Sequence, residues 1–89
     1  MPHETDVTRP EARSEVLQGL AQVIRMVTGA SMEDVQPDRL FVDELGVDSL
    51  AMVEILEGTA QHFAVRIDDE DAKDFIRVRD LTSYVEKRL

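Results

Sequence analysis

The sequence predicts an all-α fold of three main helices and one short helix, with a long first loop. Apolar residues recur at spacings of three and four in separate segments, which is the period of an amphipathic helix. Aromatic residues are few, with three Phe, one Tyr and no Trp, so the apolar mass comes from Val, Leu, Ile and Met. A chain of 89 residues suffices for one small domain. We expect a loose tail over residues 1–9 and this domain over residues 10–89.

The first helix is expected to open at Pro10, because proline costs least at the first helical position. An apolar stripe then follows one face to about Thr28, and Gly29 stands where a C-terminal cap belongs. The stripe consists of Val16, Leu17, Leu20, Val23, Ile24 and Val27.

Residues 30–47 show no helical stripe and form the predicted long loop. Connections of that length are usually functional or are pinned by buried side chains of their own. The expected pins are Leu40, Phe41 and Leu45.

The second helix should start at Ser49, with Asp48 as its N-cap, and end near Ala64. Gly58 lies inside it and should cost about 1 kcal/mol relative to alanine. Its apolar surface is broad and consists of Leu50, Val53, Ile55, Leu56, Ala60 and Phe63.

Two further helices follow a short extended link. Asp68 or Asp69 can cap a brief third helix over about residues 70–75. The fourth helix is expected over residues 78–88, where cations in the last turn suit the helix dipole. Its predicted inner face consists of Leu81, Tyr84 and Val85.

The charge of the chain restricts its partners. The net charge is -9, from 19 acidic and 10 basic residues, which argues against nucleic acid and anionic membranes and favours partners with Lys or Arg patches. The chain has no cysteine, and its apolar runs are too short for a membrane span. The first six residues are polar and show no signal-peptide pattern, so with no membrane span we expect a soluble, cytoplasmic protein. We also expect it to be monomeric on its own and not to bind membranes.

Ser49 is the residue of greatest chemical interest. Its hydroxyl should be exposed at a helix start, at the end of a loop that Gly46 makes pliable. The unpaired backbone N–H groups at a helix N-terminus favour a nearby anion, so a phosphodiester on Ser49 would be well placed. Asp48 beside it could cap the helix or help to hold a divalent cation during modification.

Residues 38–54 closely resemble the signature of the acyl carrier protein family. The matching features are the core Asp48-Ser49-Leu50, the upstream Phe41, the Leu45-Gly46 pair and the downstream Glu54. Further matches are Phe63, Ile67, Asp69-Glu70-Asp71, Val78-Arg79-Asp80-Leu81 and Tyr84-Val85. The resemblance covers roughly residues 12–88, which is nearly the whole chain.

The resemblance implies a four-helix carrier that is not an enzyme. A phosphopantetheinyl transferase would attach 4'-phosphopantetheine to Ser49, flanked by Asp48 and Leu50, and acyl groups would form thioesters with the terminal thiol. Ketosynthases, acyltransferases and other enzymes would then dock on the carrier. The implied docking residues are Glu44, Asp48, Leu50, Val53, Glu54 and Glu57. The implied acyl cavity consists of Phe41, Ile55, Thr59, Phe63 and Ile67.

Several residues depart from the pattern of fatty-acid carriers, namely Ala51, Glu57, Thr59 and the Ala60-Gln61-His62 segment, which stands where those carriers often have an acidic run. These departures favour a discrete carrier of a specialised polyketide or fatty-acid pathway over a housekeeping fatty-acid carrier. A peptidyl carrier is the nearest rival, although the sequence before Ser49 and the acidic charge favour the acyl type. A small helical adaptor without a prosthetic group is the alternative from another class.

Other site types find little support in the sequence. The acidic run from Asp68 to Asp71 lacks the glycine and glutamate that a calcium loop needs at its sixth and twelfth positions, which are Lys73 and Arg79. We therefore predict no metal site. The nucleophile-elbow pattern of hydrolases fails around Ser49, and no orienting group accompanies His62. The methionines, Met26 among them, are expected to fill gaps in the core or the loops.

Overall fold

Within residues 4–89, four α-helices and one short 3-10 turn make up the regular structure. The computed structural model describes the backbone of residues 4–89 and the side chains of residues 15–89. The helices are α1 (Glu4–Thr28), α2 (Ser49–Phe63), α3 (Asp69–Ala72) and α4 (Val78–Arg88), with the 3-10 turn at Met32–Asp34. The part of the chain described contains no strand, only an isolated bridge between Leu40 and Arg77. The predicted all-α fold is confirmed.

The start of α1 differs from the prediction. The helix begins at Glu4 rather than at Pro10, so residues 4–9 of the predicted tail belong to it, while residues 1–3 lie outside the described part of the chain. The prediction treated Pro10 as a first helical residue. Proline is disfavoured in a helix interior because it lacks an N–H group, but it does not always end the helix. At the other end, Gly29 has a φ of +81°, the left-handed conformation expected after a helix.

The core lies where α1 meets α2 and α4. The predicted stripe of α1 is buried at Val16, Leu20, Val23 and Ile24, and α1 contacts both other long helices. On α4 the predicted inner residues Leu81 and Val85 are fully buried. The fully buried large side chains are Phe41, Leu20, Ile24, Ile55, Leu81, Val35, Val47, Val78, Val85 and Thr59.

Glycines allow α1 and α2 to pack closely. A Cβ atom at Gly58 would lie 2.8 Å from Cγ1 of Val23, closer than side-chain carbons approach in proteins. A Cβ atom at Gly19 of α1 would lie 2.7 Å from both Nε2 of His62 and Cζ of Phe63. The glycine inside α2, which costs about 1 kcal/mol in helix propensity, is thus explained by the close approach of α1.

Buried side chains fix the long loop, as expected. Phe41 is fully buried, whereas the other two predicted pins, Leu40 and Leu45, are half-buried. Val35 and Val47 are almost completely buried as well. The backbone N–H of Val47 donates to the carbonyl of Phe41 at 2.9 Å, which closes the turn just before α2.

The short α3 helix is tied to α4 by Tyr84. The helix spans Asp69–Ala72, so it ends earlier than the predicted range of 70–75. The Tyr84 hydroxyl donates to Oδ2 of Asp71 at 2.8 Å and accepts from the backbone N–H of Asp68 at 3.3 Å. Desolvation raises the pKa of the Tyr84 phenol. This contact holds a helix too short to be stable alone.

Candidate functional site

Ser49 is the first residue of α2, and its side chain is exposed. Asp48 precedes it with extended backbone, and its Oδ1 accepts a hydrogen bond of 2.8 Å from the N–H of Ala51. The predicted N-cap is therefore confirmed. The cap satisfies one of the free N–H groups of the first turn, and the positive end of the helix dipole remains beside the Ser49 hydroxyl.

The loop that leads to Ser49 is shaped at Gly46. Its φ is +68°, a left-handed conformation that strains other residues, and no atom lies within 4 Å of a Cβ built there. Glycine is therefore required by the backbone and not by crowding. The Gly46 N–H donates to the carbonyl of Val42 at 3.1 Å, which holds the turn in place ahead of the buried Val47.

Glu44 has a role within the loop itself. Its Oε1 accepts a hydrogen bond of 2.8 Å from the backbone N–H of Leu40, and its Oε2 lies 3.6 Å from Nη1 of Arg39. The carboxylate therefore orders the loop before Ser49. It is less available to a partner than the other acidic residues predicted for docking.

The exposed face of α2 combines apolar and acidic side chains. Leu50 and Val53 are large apolar residues on adjacent turns of α2, and they are 68% and 51% exposed. Glu54 and Glu57 are also exposed, and neither makes an ion pair with any residue in the range 15–89. We call Leu50, Val53, Glu54 and Glu57 the α2 face. The structure brings these four predicted docking residues together on one surface.

The residues predicted for an acyl cavity lie at different depths. Phe41, Ile55 and Thr59 are fully buried, whereas Phe63 and Ile67 are half-buried. The Oγ1 atom of Thr59 has no hydrogen-bond partner among the described residues, although Thr59 is completely buried. A buried hydroxyl without a partner costs about 1–3 kcal/mol, so a more stable core would carry an apolar side chain here.

Met26 is exposed, so its prediction as a residue that fills a gap in the core or the loops is wrong. This residue is 85% exposed and does not fill a gap in the core. Its position on α1 could have revealed this, because it lies about 100° around the helix axis from Val27, at the edge of the apolar stripe. Met26 lines a surface groove between α1 and α2, together with residues of the α2 face.

Within the side chains described, no group of three or more His, Cys, Asp or Glu residues is arranged to hold a metal ion. None of the described helices is both long enough and apolar enough to cross a membrane.

The sequence of this chain matches a known protein family and several of its members. The family model for the phosphopantetheine attachment site matches residues 18–85. An acyl carrier protein from Acidothermus cellulolyticus is 42% identical over 74 residues, which are 83% of this chain and 88% of that protein. The meromycolate extension acyl carrier protein of Mycobacterium tuberculosis is 38% identical over 78 residues, 88% of this chain and 68% of that protein.

A solved structure agrees with the sequence relatives. The chain superposes on the acyl carrier protein of Enterococcus faecalis, from a study of its thermal stability, with a TM-score of 0.72 and 27% identity. The superposition covers 86% of this chain and 98% of that one. The matched residues include Ser49, the α2 face and the loop before them. This chain therefore belongs to the phosphopantetheine attachment family as an acyl carrier protein, a carrier of covalent 4'-phosphopantetheine and not an enzyme.

Proposed function

We propose that Ser49 is the residue that carries the 4'-phosphopantetheine arm. The observation that supports this most directly is the position of Ser49 as an exposed hydroxyl in the first turn of α2, inside the matched family region. A phosphodiester at that position lies at the positive end of the helix dipole. The Asp48 cap and the Gly46 turn fix the backbone on which the hydroxyl is presented.

The arm supplies a thiol, on which an acyl group is held as a thioester. The chain has no cysteine, so the thiol of the arm is the only thiol that this sequence and its prosthetic group would offer. What the protein contributes is the anchor, the surface that enzymes recognise and the fold that holds both. The carrier performs no chemistry on the acyl chain.

The names of the relatives favour a fatty-acid type of cargo. One is named an acyl carrier protein, and the other is named an acyl carrier protein of meromycolate extension. The polyketide role that Ala51, Glu57, Thr59 and Ala60 suggested remains a prediction, as does the choice between housekeeping and specialised synthesis. The peptidyl alternative has no support among the relatives named above.

The α2 face is the proposed docking surface for the enzymes that modify and use the arm. Phosphopantetheinyl transferases, ketosynthases and acyltransferases would contact Leu50 and Val53 while their cations pair with Glu54 and Glu57. Both carboxylates are exposed and free of ion pairs within residues 15–89, which supports this role. Exposed charges of this kind mainly affect the association rate and its salt dependence.

An acyl chain sheltered by the carrier would have to reach Phe41, Ile55 and Thr59. These residues are fully buried, so entry requires packed side chains to move apart. The half-buried Phe63 and Ile67 lie closer to solvent. The role of these five residues as an acyl cavity is part of the proposal.

Mass spectrometry tests the proposed attachment. Unmodified protein is incubated with coenzyme A and a broad-specificity phosphopantetheinyl transferase, and the intact mass is followed with time. Wild-type protein should gain the mass of one arm, and Ser49→Ala should gain none. The control for Ser49→Ala is Ser31→Ala, because Ser31 is another exposed serine, at the start of the 3-10 turn. This control variant should gain one arm like wild type. Loading of Ser49→Ala would overturn the proposal.

A further inference from the structure

The buried hydroxyl of Thr59 is a polar group for which the packing of the core gives no reason. Thr59 is completely buried, and its Oγ1 has no hydrogen-bond partner among the described residues. Most buried polar atoms in proteins are paired, and an unpaired hydroxyl lowers the stability of the core. Valine has a similar branched shape without that cost, so packing alone does not account for threonine at this position.

Other helical threonines of this chain pair their hydroxyl within the helix. The Thr82 hydroxyl donates to the carbonyl of Arg79 at 3.0 Å, and the Thr28 hydroxyl donates to the carbonyl of Ile24 at 2.8 Å. Such bonds to a carbonyl three or four residues earlier are common for threonine in a helix. The Thr59 hydroxyl makes no such bond, which leaves it available to a group from outside the helix.

The surroundings of Thr59 argue against two simple partners. A buried water molecule needs about two to four polar partners, but Ile55 and Phe63, one turn away on the same face of α2, offer no polar side-chain atom. A phosphate on Ser49 is too distant, because it lies about 15 Å away along the helix axis at 1.5 Å per residue. Both arguments favour a partner that enters the core from outside.

An acyl chain on the arm is a molecule that could enter there. Thr59 belongs with Phe41 and Ile55 to the buried part of the proposed acyl cavity. A saturated chain would surround the hydroxyl with methylene groups and leave it unpaired. A hydroxyl group on the chain would pair with it in either direction, because both hydroxyls donate and accept hydrogen bonds. A buried polar group of this kind discriminates between ligands that pair with it and ligands that do not.

The chemistry of chain elongation determines where such a hydroxyl lies. When an acyl thioester condenses with a malonyl thioester, carbon dioxide and one thiol are released, and a keto group remains at carbon 3 of the longer chain. Reduction of that keto group gives a 3-hydroxyacyl thioester. The thioester carbonyl is present in every cargo, so it does not distinguish a hydroxylated chain from a saturated one.

We propose that Thr59 is a specificity-determining residue through which this carrier shelters 3-hydroxyacyl chains in preference to saturated ones. The Thr59 hydroxyl forms a hydrogen bond with the hydroxyl at carbon 3 when the chain lies in the core. The inference rests on the proposed function, because it requires an arm on Ser49 and a chain that enters the proposed cavity. It narrows the cargo from acyl chains in general to one chemical class.

Thermal unfolding of loaded carriers tests this specificity. A broad-specificity phosphopantetheinyl transferase loads wild type and Thr59→Val from octanoyl-coenzyme A or from either enantiomer of 3-hydroxyoctanoyl-coenzyme A, and intact mass verifies each product. The measured quantity is the melting temperature of the hydroxylated form minus that of the octanoyl form. For at least one enantiomer, this difference should be about 4–8 °C larger in wild type than in Thr59→Val, as one hydrogen bond would give in a domain of this size.

Two further variants serve as controls. Thr59→Ser keeps the hydroxyl, so its difference in melting temperature should resemble that of wild type. Thr82→Val removes a buried hydroxyl that is paired inside α4, and it should leave the difference unchanged. Equal differences in wild type and Thr59→Val for both enantiomers would overturn the inference, since the Thr59 hydroxyl would then be unpaired or paired with a group common to every cargo. A Thr59→Ser carrier that behaves like Thr59→Val would also contradict it.

Attachment of the arm is judged separately from this specificity. If wild-type protein gains no mass with any of the coenzyme A substrates, the proposed function itself fails. If the protein gains mass but every acylated form melts at the temperature of the form with the arm alone, no chain enters the core. That result would overturn the inference and leave attachment at Ser49 intact.

Discussion

The two faces of α2 differ in burial, since one contributes to the core and the other is exposed to solvent. On the inner face Ile55 and Thr59 are completely buried against the other helices. On the outer face Leu50 and Val53 are more than half exposed, although they are apolar. One helix of 15 residues therefore supplies both part of the core and an apolar surface left open to solvent.

The contrast shows that apolar character alone does not identify a core. The outer residues gain little from burial, so their apolar side chains are not explained by the stability of the isolated fold. The inner face includes an unpartnered hydroxyl at Thr59, which lowers stability. The inner face thus serves stability and the outer face is the proposed docking surface, so substitutions on the two faces should have different consequences.

The largest expected effect on stability is that of Ile55→Ala on the inner face. Removal of a fully buried isoleucine side chain should lower the free energy of unfolding by about 2–5 kcal/mol. The matched control is Val53→Ala on the outer face, which should change it by less than about 0.5 kcal/mol. Urea denaturation of the two variants provides the comparison. Similar losses for both would show that the two faces are not distinct.

Contact between α1 and α2 is tested at Gly58. Gly58→Ala gains about 1 kcal/mol of helix propensity but places a Cβ atom 2.8 Å from Cγ1 of Val23. Overpacking of this kind costs about 1–3 kcal/mol, so we expect net destabilisation of about 1 kcal/mol.

The double variant isolates that contact. In a Val23→Ala background the clash is removed, and Gly58→Ala should become stabilising by up to about 1 kcal/mol. The measurement is a thermodynamic cycle of urea unfolding for wild type, Gly58→Ala, Val23→Ala and the double variant. An effect of Gly58→Ala that keeps the same sign and size in both backgrounds would refute the close approach.

An effect of similar size and opposite sign is expected at Thr59. Thr59→Val removes a buried hydroxyl that has no hydrogen-bond partner and preserves the branched shape, so the free energy of unfolding should rise by about 1 kcal/mol. Thr82 is the control, because it is also buried but its Oγ1 donates to the carbonyl of Arg79 at 3.0 Å. Thr82→Val should lose about 0.5–1.5 kcal/mol. Thermal unfolding that ranks these variants in the reverse order would contradict the assignment of the two hydroxyls.

The smallest expected effect on stability is at Ser49. Ser49→Ala removes an exposed hydroxyl that is not the cap of α2, so its free energy of unfolding should change by less than about 0.5 kcal/mol. Asp48→Ala, by contrast, removes the cap itself and should cost about 1 kcal/mol. Urea unfolding of the two variants distinguishes these roles, and a larger loss for Ser49→Ala than for Asp48→Ala would be inconsistent with the observed geometry.

Much of this architecture could be predicted from local sequence. The stripe of α1, the Asp48 cap and the fourth helix follow from periodicity and capping preferences, which depend on residues close together in the chain. The predicted start of α1 was wrong because Pro10 was assigned to the first helical position, where proline is most common in helices. The end of α3 was missed because its stability depends on Tyr84, which is distant in sequence.

Some features of the site could be predicted from the sequence and others could not, because only some of them depend on residues close together in the chain. Ser49 and the α2 face lie on one continuous helix, so their relative positions follow from helical geometry. The groove depends on how α1 packs against α2, and no local pattern specifies that Gly58 meets Val23. Local sequence likewise does not reveal that the Glu44 carboxylate is engaged by Arg39 and by the backbone of Leu40.

The most direct test of the central claim is to locate the arm on the protein as purified from its own host. Proteolysis followed by fragmentation mass spectrometry assigns any added phosphopantetheine to a single residue. We predict that the arm, with or without an acyl group, is found on Ser49 and on no other residue. Protein from an actively growing culture that carries no arm, or an arm on another residue, would contradict the account.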